Sequence, residues 1–380
     1  MNIILPVFLL LTILSQAQAT TLNKVLFDLI KYPFARCNDG SPSGYYYKES
    51  TSGSKDFLIF QEGGGWAYNA ETCKGRSSAL SSSKDWSETV SQSGIFESQD
   101  SKLSQLNLIY VPYCTSDGWA GSTVTNENEC NFYFNGKDVV TAVIEEAVST
   151  LDLGSTTNTK VMYGGCSAGA RGALFNIDRV ETLLNTLVPG KISKFGGLLD
   201  SCLWVDIPQL NTSKQESFQN QTAAVVTLAN ATASIPDDCA SKYPDALWKC
   251  LFGEYRLPFV KSDYFLHSYQ YDLFQLQGDT GVVVPNVTPE ELAYDETFRA
   301  KTLLTANEDT INPNVPGTAA LLPACFKHCN TQTSTFSSLM TNGVSLEMAV
   351  SSWFYESKSV PQYITESCKG FNCGTDCPKP

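Results

Sequence analysis

Gly165-Cys166-Ser167-Ala168-Gly169 decides the fold, because it fits G-x-S-x-G and falls between an apparent strand and an apparent helix. The preceding Lys160-Val161-Met162-Tyr163 is β-branched and aromatic enough to predict a buried strand. From Arg171 to Leu184, the spacing of Ala173, Leu174, Ile177, Val180 and Leu184 predicts a helix. A serine at such a corner is held on a strained turn with its hydroxyl exposed, and the next residue's backbone N–H can help stabilise an oxyanion. Taken alone, the pentapeptide reads equally well as a glycine-rich turn that happens to contain serine, so the rest of the chain must decide.

Outward from this corner, strand and helix alternate. Phe57 to Phe60 and Leu106 to Val111 read as strands, Val139 to Val148 as a helix, and Phe195 to Leu199 and Tyr264 to Ser268 as further strands. Leu346 to Tyr355 reads as a late helix, and Cys368 to Cys377 as a disulfide-tied tail. Alternation of this kind predicts an α/β fold, a mostly parallel sheet flanked by helices, with its chemistry at the carboxyl ends of the strands. Residues 20–380 read as one domain, with an exposed insertion around 208–255.

Met1 to Ala19 has an apolar run too short to span a bilayer comfortably, followed by Ala-Gln-Ala, and predicts a cleaved signal peptide with no membrane anchor left behind. Thirteen cysteines fit an oxidising compartment. The odd number leaves a thiol unpaired, and Cys166, expected beneath the serine turn, is the candidate. Asn211, Asn220, Asn230 and Asn286 open Asn-x-Ser/Thr sequons, glycan acceptors on an exported chain. A net charge of −13 argues against nucleic acid and anionic membranes as partners.

A serine hydroxyl needs a base, usually an imidazole held by a carboxylate. The chain has two histidines. His267, inside Tyr264-Phe265-Leu266-His267-Ser268-Tyr269, reads as packed structure; His328 lies far downstream in a loop-like stretch, as expected for the last member of a triad ordered Ser, Asp, His. Asp200 and Asp272 each follow a strand between Ser167 and His328, and sequence order does not separate them. Cys325, His328 and Cys329 could look like zinc ligands, but no second histidine-bearing cluster with tetrahedral-site spacing accompanies them, so no metal is expected. Glu62-Gly63-Gly64-Gly65-Trp66, directly after the Phe57 strand, suits an oxyanion hole, since glycines let N–H groups approach without steric conflict. A simple tight turn carrying a packed Trp66 is the other possibility.

These blocks, in this order, resemble the pectin acetylesterase family, which includes the Notum-type carboxylesterases. The match is carried by Glu62 to Trp66, Gly165 to Gly169, Tyr271-Asp272 and Cys325-Phe326-Lys327-His328-Cys329, with weaker similarity along most of the chain. The cysteines flanking His328 look more like the plant-type members. The resemblance implies an α/β-hydrolase-like fold and a triad of Ser167, Asp272 and His328, with the N–H groups of Gly65, Trp66 and Ala168 as oxyanion hole; Asp272 rather than Asp200 rests on the resemblance. Two departures stand out: Ala67-Tyr68-Asn69 follows Trp66 where the family usually has a cysteine, leaving Cys73 without its expected neighbour, and Ala170 replaces a usual glycine.

The expected function is a secreted, or alternatively vacuolar, serine esterase that removes O-acetyl groups from a polysaccharide without a cofactor. The alternatives are a Notum-like lipid deacylase and a catalytically silent glycan-binding protein. The acidic charge gives a polyanionic substrate no long-range attraction, although screening over roughly 8 Å leaves room for a local basic groove.

Overall fold

Alternating side chains along the strands give the sheet two buried faces. In strand β3 (Phe57–Gln61), Phe57 and Ile59 enter one core while Leu58 and Phe60 enter the other, as the period of two requires. The computed structural model describes residues 19–212, 215–282, 286–307, 317–356 and 359–378. The expected signal peptide, apart from Ala19, therefore lies outside the described residues.

Along the chain, β1 (Thr20–Leu26), β2 (Gly44–Lys48) and β3 are followed by α1 (Ala70–Lys74), β4 (Thr89–Gln92), β5 (Asn107–Val111) and α2 (Gly136–Thr150). Next come β6 (Thr159–Cys166), α3 (Ala168–Leu187) and β7 (Ile192–Asp200). An excursion carrying α4 (Phe218–Leu228), α5 (Asp237–Lys242) and α6 (Gly253–Arg256) leads to β8 (Tyr264–His267). The chain continues through β9 (Tyr271–Asp272), α7 (Leu273–Thr280), α8 (Pro289–Thr305), β10 (Ala319–Leu322) and β11 (Phe326–Lys327). A short hairpin, β12 (Met340–Thr341) and β13 (Val344–Ser345), precedes α9 (Leu346–Phe354) and β14 (Tyr363–Thr365).

Among the described residues, ten strands form one sheet in the order β14-β10-β8-β7-β6-β3-β5-β2-β1-β4. From β14 to β5 every neighbour is parallel; β2, β1 and β4 extend that edge antiparallel. Helices α2 and α3 cover one face through residues such as Val139, Val143, Leu174 and Ile177, and α9 covers the other through Leu346, Val350 and Trp353. This is the α/β-hydrolase-like, mostly parallel architecture expected.

Helix α3 begins at Ala168, earlier than the apolar spacing from Arg171 suggested, because the first turn is built from small residues that carry no hydrophobic signal. The excursion between β7 and β8 is helical and is pinned internally by the Cys239–Cys250 disulfide. Asn220, Asn230 and Asn286 are exposed and Asn211 is half-buried. Among the described residues, no helix is long and apolar enough to cross a membrane.

Six disulfides join Cys37–Cys114, Cys73–Cys130, Cys166–Cys329, Cys239–Cys250, Cys325–Cys377 and Cys368–Cys373. Cys166 is therefore bonded, contrary to expectation, and buried Cys202 is the free cysteine. The reason is positional. Strand β6 runs on through Cys166, which pairs in register with Asp200, and Asp200 draws the backbone of Asn330 and Thr331 to that strand end, bringing Cys329 within reach. Cys73 finds a partner in Cys130, from the segment before α2.

Candidate active site

Ser167 occupies the turn between β6 and α3 with φ 57° and ψ −124°, a positive-φ conformation that a non-glycine residue adopts only under constraint. Its N–H donates to the Asp200 carbonyl (2.9 Å), and its own carbonyl accepts from Arg171 N–H (2.9 Å). The corner lies against the turn after β3. A methyl group on Gly63 would sit 2.9 Å from Ser167 Cβ and 2.7 Å from the Cys166 carbonyl oxygen, so only glycine fits there. Ser167 is half-buried, and Ala168 opens the helix, where its N–H lacks an intrahelical acceptor.

Asp272 and His328 meet through a short parallel pairing. Strands β9 and β11 align Tyr271 with Phe326 and Asp272 with Lys327, which leaves His328 one residue beyond the pair. Asp272 caps α7, its Oδ1 accepting from Gln275 N–H (3.0 Å), while Oδ2 lies 2.8 Å from His328 Nδ1. The imidazole stacks on Phe274 at 5.3 Å, and its buried Nε2 has no hydrogen-bond partner among the described residues. Burial disfavours charge on His328, but the charge and hydrogen bond of Asp272, with Asp200 adding from further away, outweigh it and raise its pKa above the ordinary 6.5. Cys166 precedes Ser167 and Cys329 follows His328, so their disulfide, with Cα atoms 5.8 Å apart, ties the serine corner to the imidazole loop.

Asp200 and His267 form a second pair. Aligned in register at the ends of β7 and β8, they join Oδ1 to Nδ1 at 2.7 Å and are fully buried. Asp200 Oδ2 accepts from Asn330 N–H (2.7 Å), Thr331 N–H (2.8 Å) and the Thr331 hydroxyl (2.7 Å). Ser201, hydrogen-bonded to Asp200 Oδ1, also accepts the Cys329 N–H (2.9 Å). Burial alone would raise the Asp200 pKa; the His267 imidazole and the backbone donors more than reverse this and hold it well below the usual carboxylate range. Of the two aspartates that sequence order could not separate, Asp272 meets His328 and Asp200 meets His267.

The Gly63-Gly64-Gly65-Trp66 turn is held open from behind. Gly64 and Gly65 adopt φ 140° and 64°, and Arg76 ties the turn down by donating to the Gly64 carbonyl (2.7 Å) and to Ser116 Oγ (2.9 Å). Trp66 Nε1 donates to Gln221 (3.0 Å), while Ala67 N–H donates to the Ser116 carbonyl (2.9 Å). Half-buried Glu62 accepts from Tyr113 N–H (2.8 Å), and desolvation raises its pKa.

Sequence reasoning missed the wall joining this turn to the imidazole. Trp204 lies 4.9 Å from Trp66, 4.5 Å from Phe218, 5.7 Å from Phe252 and 6.1 Å from Phe274 between ring centroids. The available signal was aromatic density, since Trp204 follows a strand end and Phe274 follows Asp272 closely. Cys325 and Cys329, considered with His328 as zinc ligands, both lie in disulfides and offer no thiolate.

The chain resembles known proteins along almost its whole length. A family model described as pectinacetylesterase matches residues 15–378. The palmitoleoyl-protein carboxylesterase NOTUM of Mus musculus is 30% identical over 364 residues, spanning 90% of this chain and 70% of its own. Its Homo sapiens counterpart is 29% identical over 365 residues, with 90% and 71% covered. The solved structure of the Wnt deacylase Notum from Drosophila superposes with a TM-score of 0.84 over 94% of this chain and 100% of that one; at 24% identity it speaks for the fold alone.

Proposed function

Since the chain belongs to the pectinacetylesterase family and is a carboxylic ester hydrolase, we propose that it removes short O-acyl groups, chiefly acetyl, from a polysaccharide through an acyl-enzyme on Ser167. The observation that carries this reading is the Asp272–His328 pair, whose free Nε2 is tethered beside the serine corner by the Cys166–Cys329 bond. Ser167 Oγ attacks the ester carbonyl as His328 Nε2 takes its proton, and Asp272 holds the imidazole with Nδ1 protonated. The N–H groups of Gly65, Trp66 and Ala168 receive the tetrahedral oxyanion. Collapse passes the proton from His328 to the leaving sugar hydroxyl; water, activated by the same nitrogen, then attacks the acyl-serine and releases acetate. Every group in this scheme belongs to the chain itself, so it calls on no cofactor.

Short-chain preference is supported by the aromatic wall. Trp66, Trp204, Phe218 and Phe274 pack ring against ring from the oxyanion turn to His328, and in this reading a long acyl chain finds room beside Ser167 only if these rings part. The relatives' name, palmitoleoyl-protein carboxylesterase, favours a second reading, a lipid deacylase in which these rings part. We propose export of the protein, consistent with the Met1–Ala19 segment and six disulfides, and glycosylation at Asn211, Asn220, Asn230 and Asn286.

Hydrolysis of p-nitrophenyl esters of increasing acyl length, by the intact protein and Ser167→Ala, tests this. Ser167-dependent cleavage of the acetate that fades by the octanoate supports the deacetylase. A preference for long chains would transfer the reading to the lipid deacylase.

A further inference from the structure

Arg171 stands four residues after Ser167 in the first turn of α3, yet its side chain is 5% exposed. Its guanidinium sits in the corner formed by two nearly perpendicular indoles, 3.7 Å from the Trp66 ring centroid and 3.4 Å from that of Trp204. One edge donates through Nη2 to the Leu251 carbonyl (3.0 Å), and Nε is buried with no partner. Among the described residues, no carboxylate forms an ion pair with it. The titratable groups that face it are Tyr113 and Cys202, and burial pushes both away from ionisation. A cation is thus built into the wall beside the serine without a counter-ion.

Such burial is costly, and aromatic faces return only part of the lost hydration. Burial lowers the Arg171 pKa well below its ordinary value, yet a guanidinium starts so far above neutrality that the site remains positive. Trp66, one of its two platforms, also carries a backbone N–H that the mechanism assigns to the oxyanion. We propose that Arg171 is a positioning residue for the oxyanion site: packed into the corner of the Trp66 and Trp204 rings, it fixes the Trp66 main chain, and its uncompensated charge favours the negative oxygen of the tetrahedral intermediate. The neutral ester gains little from this charge, so the benefit is concentrated in the transition state. This inference rests on the esterase reading and adds a specific element to it, a buried cation in the first turn of the helix that follows the nucleophile.

The test compares Arg171→Met, which keeps a long apolar side chain, with Arg171→Lys, which keeps the charge without the flat stacking surface. On p-nitrophenyl acetate, Arg171→Met is expected to lower kcat roughly 30- to 100-fold with KM changed less than about threefold, and Arg171→Lys to recover part of the loss. Affinity for phenylboronic acid, which becomes a tetrahedral anion on an active serine, is expected to fall in parallel with kcat. A folded Arg171→Met protein with wild-type kcat and boronate affinity would overturn the inference. Should Arg171→Met fail to fold, Arg171→Lys decides: wild-type kcat and boronate affinity there would show that the stacked clamp positions nothing. The foundation is checked separately, because turnover persisting in Ser167→Ala would sink the esterase site itself, whatever Arg171 does.

Discussion

Two aspartate–histidine pairs lie at the same end of the sheet, with nearly equal hydrogen bonds of 2.7 Å and 2.8 Å through Nδ1, yet their surroundings assign them different work. Asp200–His267 is wholly enclosed, and every Asp200 oxygen is engaged: Oδ1 by His267 and Ser201, Oδ2 by Asn330 and Thr331, the carbonyl by Ser167. Asp272–His328 retains some exposure, with the imidazole at 16% and the carboxylate at 6%. A carboxylate–imidazole pair is therefore not a catalytic signature by itself. The enclosed pair organises backbone; the open pair, tied through Cys329 to the serine corner, is available to move a proton.

The sharpest way to break this division is to remove each imidazole. His328→Ala is expected to lower kcat on p-nitrophenyl acetate by roughly 10⁴-fold or more at nearly unchanged melting temperature, as loss of a triad base does. His267→Ala is expected to do the reverse, leaving Asp200 as an unpaired buried charge at a cost of about 3–5 kcal/mol while the folded fraction keeps most of its activity. Thermal melts combined with turnover per folded molecule separate the two, and a folded His267→Ala protein as inactive as His328→Ala would erase the distinction.

The carboxylates sharpen it. Asp272→Asn is expected to lower kcat by up to about 10⁴-fold through a misplaced tautomer, with little effect on folding. Asp200→Asn is expected to lower the melting temperature by roughly 5–10 °C, with a smaller loss of kcat from a loosened His328 loop. The Asp200 pKa is depressed in the folded state, so its stabilising contribution is present above its unfolded value of about 3.9 and is lost as pH falls through the folded one. Acid unfolding of the wild type should accordingly carry a component that Asp200→Asn lacks, visible in melts below about pH 4.

The smallest effect lies in the pH profile. Because the His328 pKa is raised and the scheme needs neutral imidazole, kcat/KM should climb through an acid limb centred above about 6.5. The charged groups that act on His328 are Asp272, in contact, and Asp200, further off; Asp272→Asn should move the limb down, and Asp200→Asn should move it down by less. By linkage, the stabilisation that the raised His328 pKa provides is full below about pH 6.5 and disappears as pH rises through the folded value.

Much of this arrangement is legible in the chain, and what is hidden is hidden for physical reasons. Short, continuously buried strands at Phe57, Leu106 and Phe195, and the glycine-rich corner at Ser167, reveal a parallel α/β sheet because local pattern and burial agree there. The antiparallel edge escapes notice: β1 and β4 are short or half-exposed, and their polar faces carry little hydrophobic signal. Asp200 and Asp272 look alike in sequence because what separates them is register, Asp200 against His267 and Asp272 against Lys327, across more than 50 residues in each case. Cys166 reads as a free thiol for a similar reason, since its partner lies 163 residues away and is brought near by the contacts of Asp200 and Ser201.

The most direct test of the division is covalent. An alkyl fluorophosphonate forms a serine O–P bond and expels fluoride only where a serine is activated, so intact-mass and peptide mass spectrometry can map where it lands. One adduct on the peptide containing Ser167 is predicted for the wild type and for folded His267→Ala, with labelling lost in Ser167→Ala and slowed at least about 10³-fold in His328→Ala. An adduct at another residue, or full-rate labelling of Ser167 without His328, would contradict the assignment of the open pair.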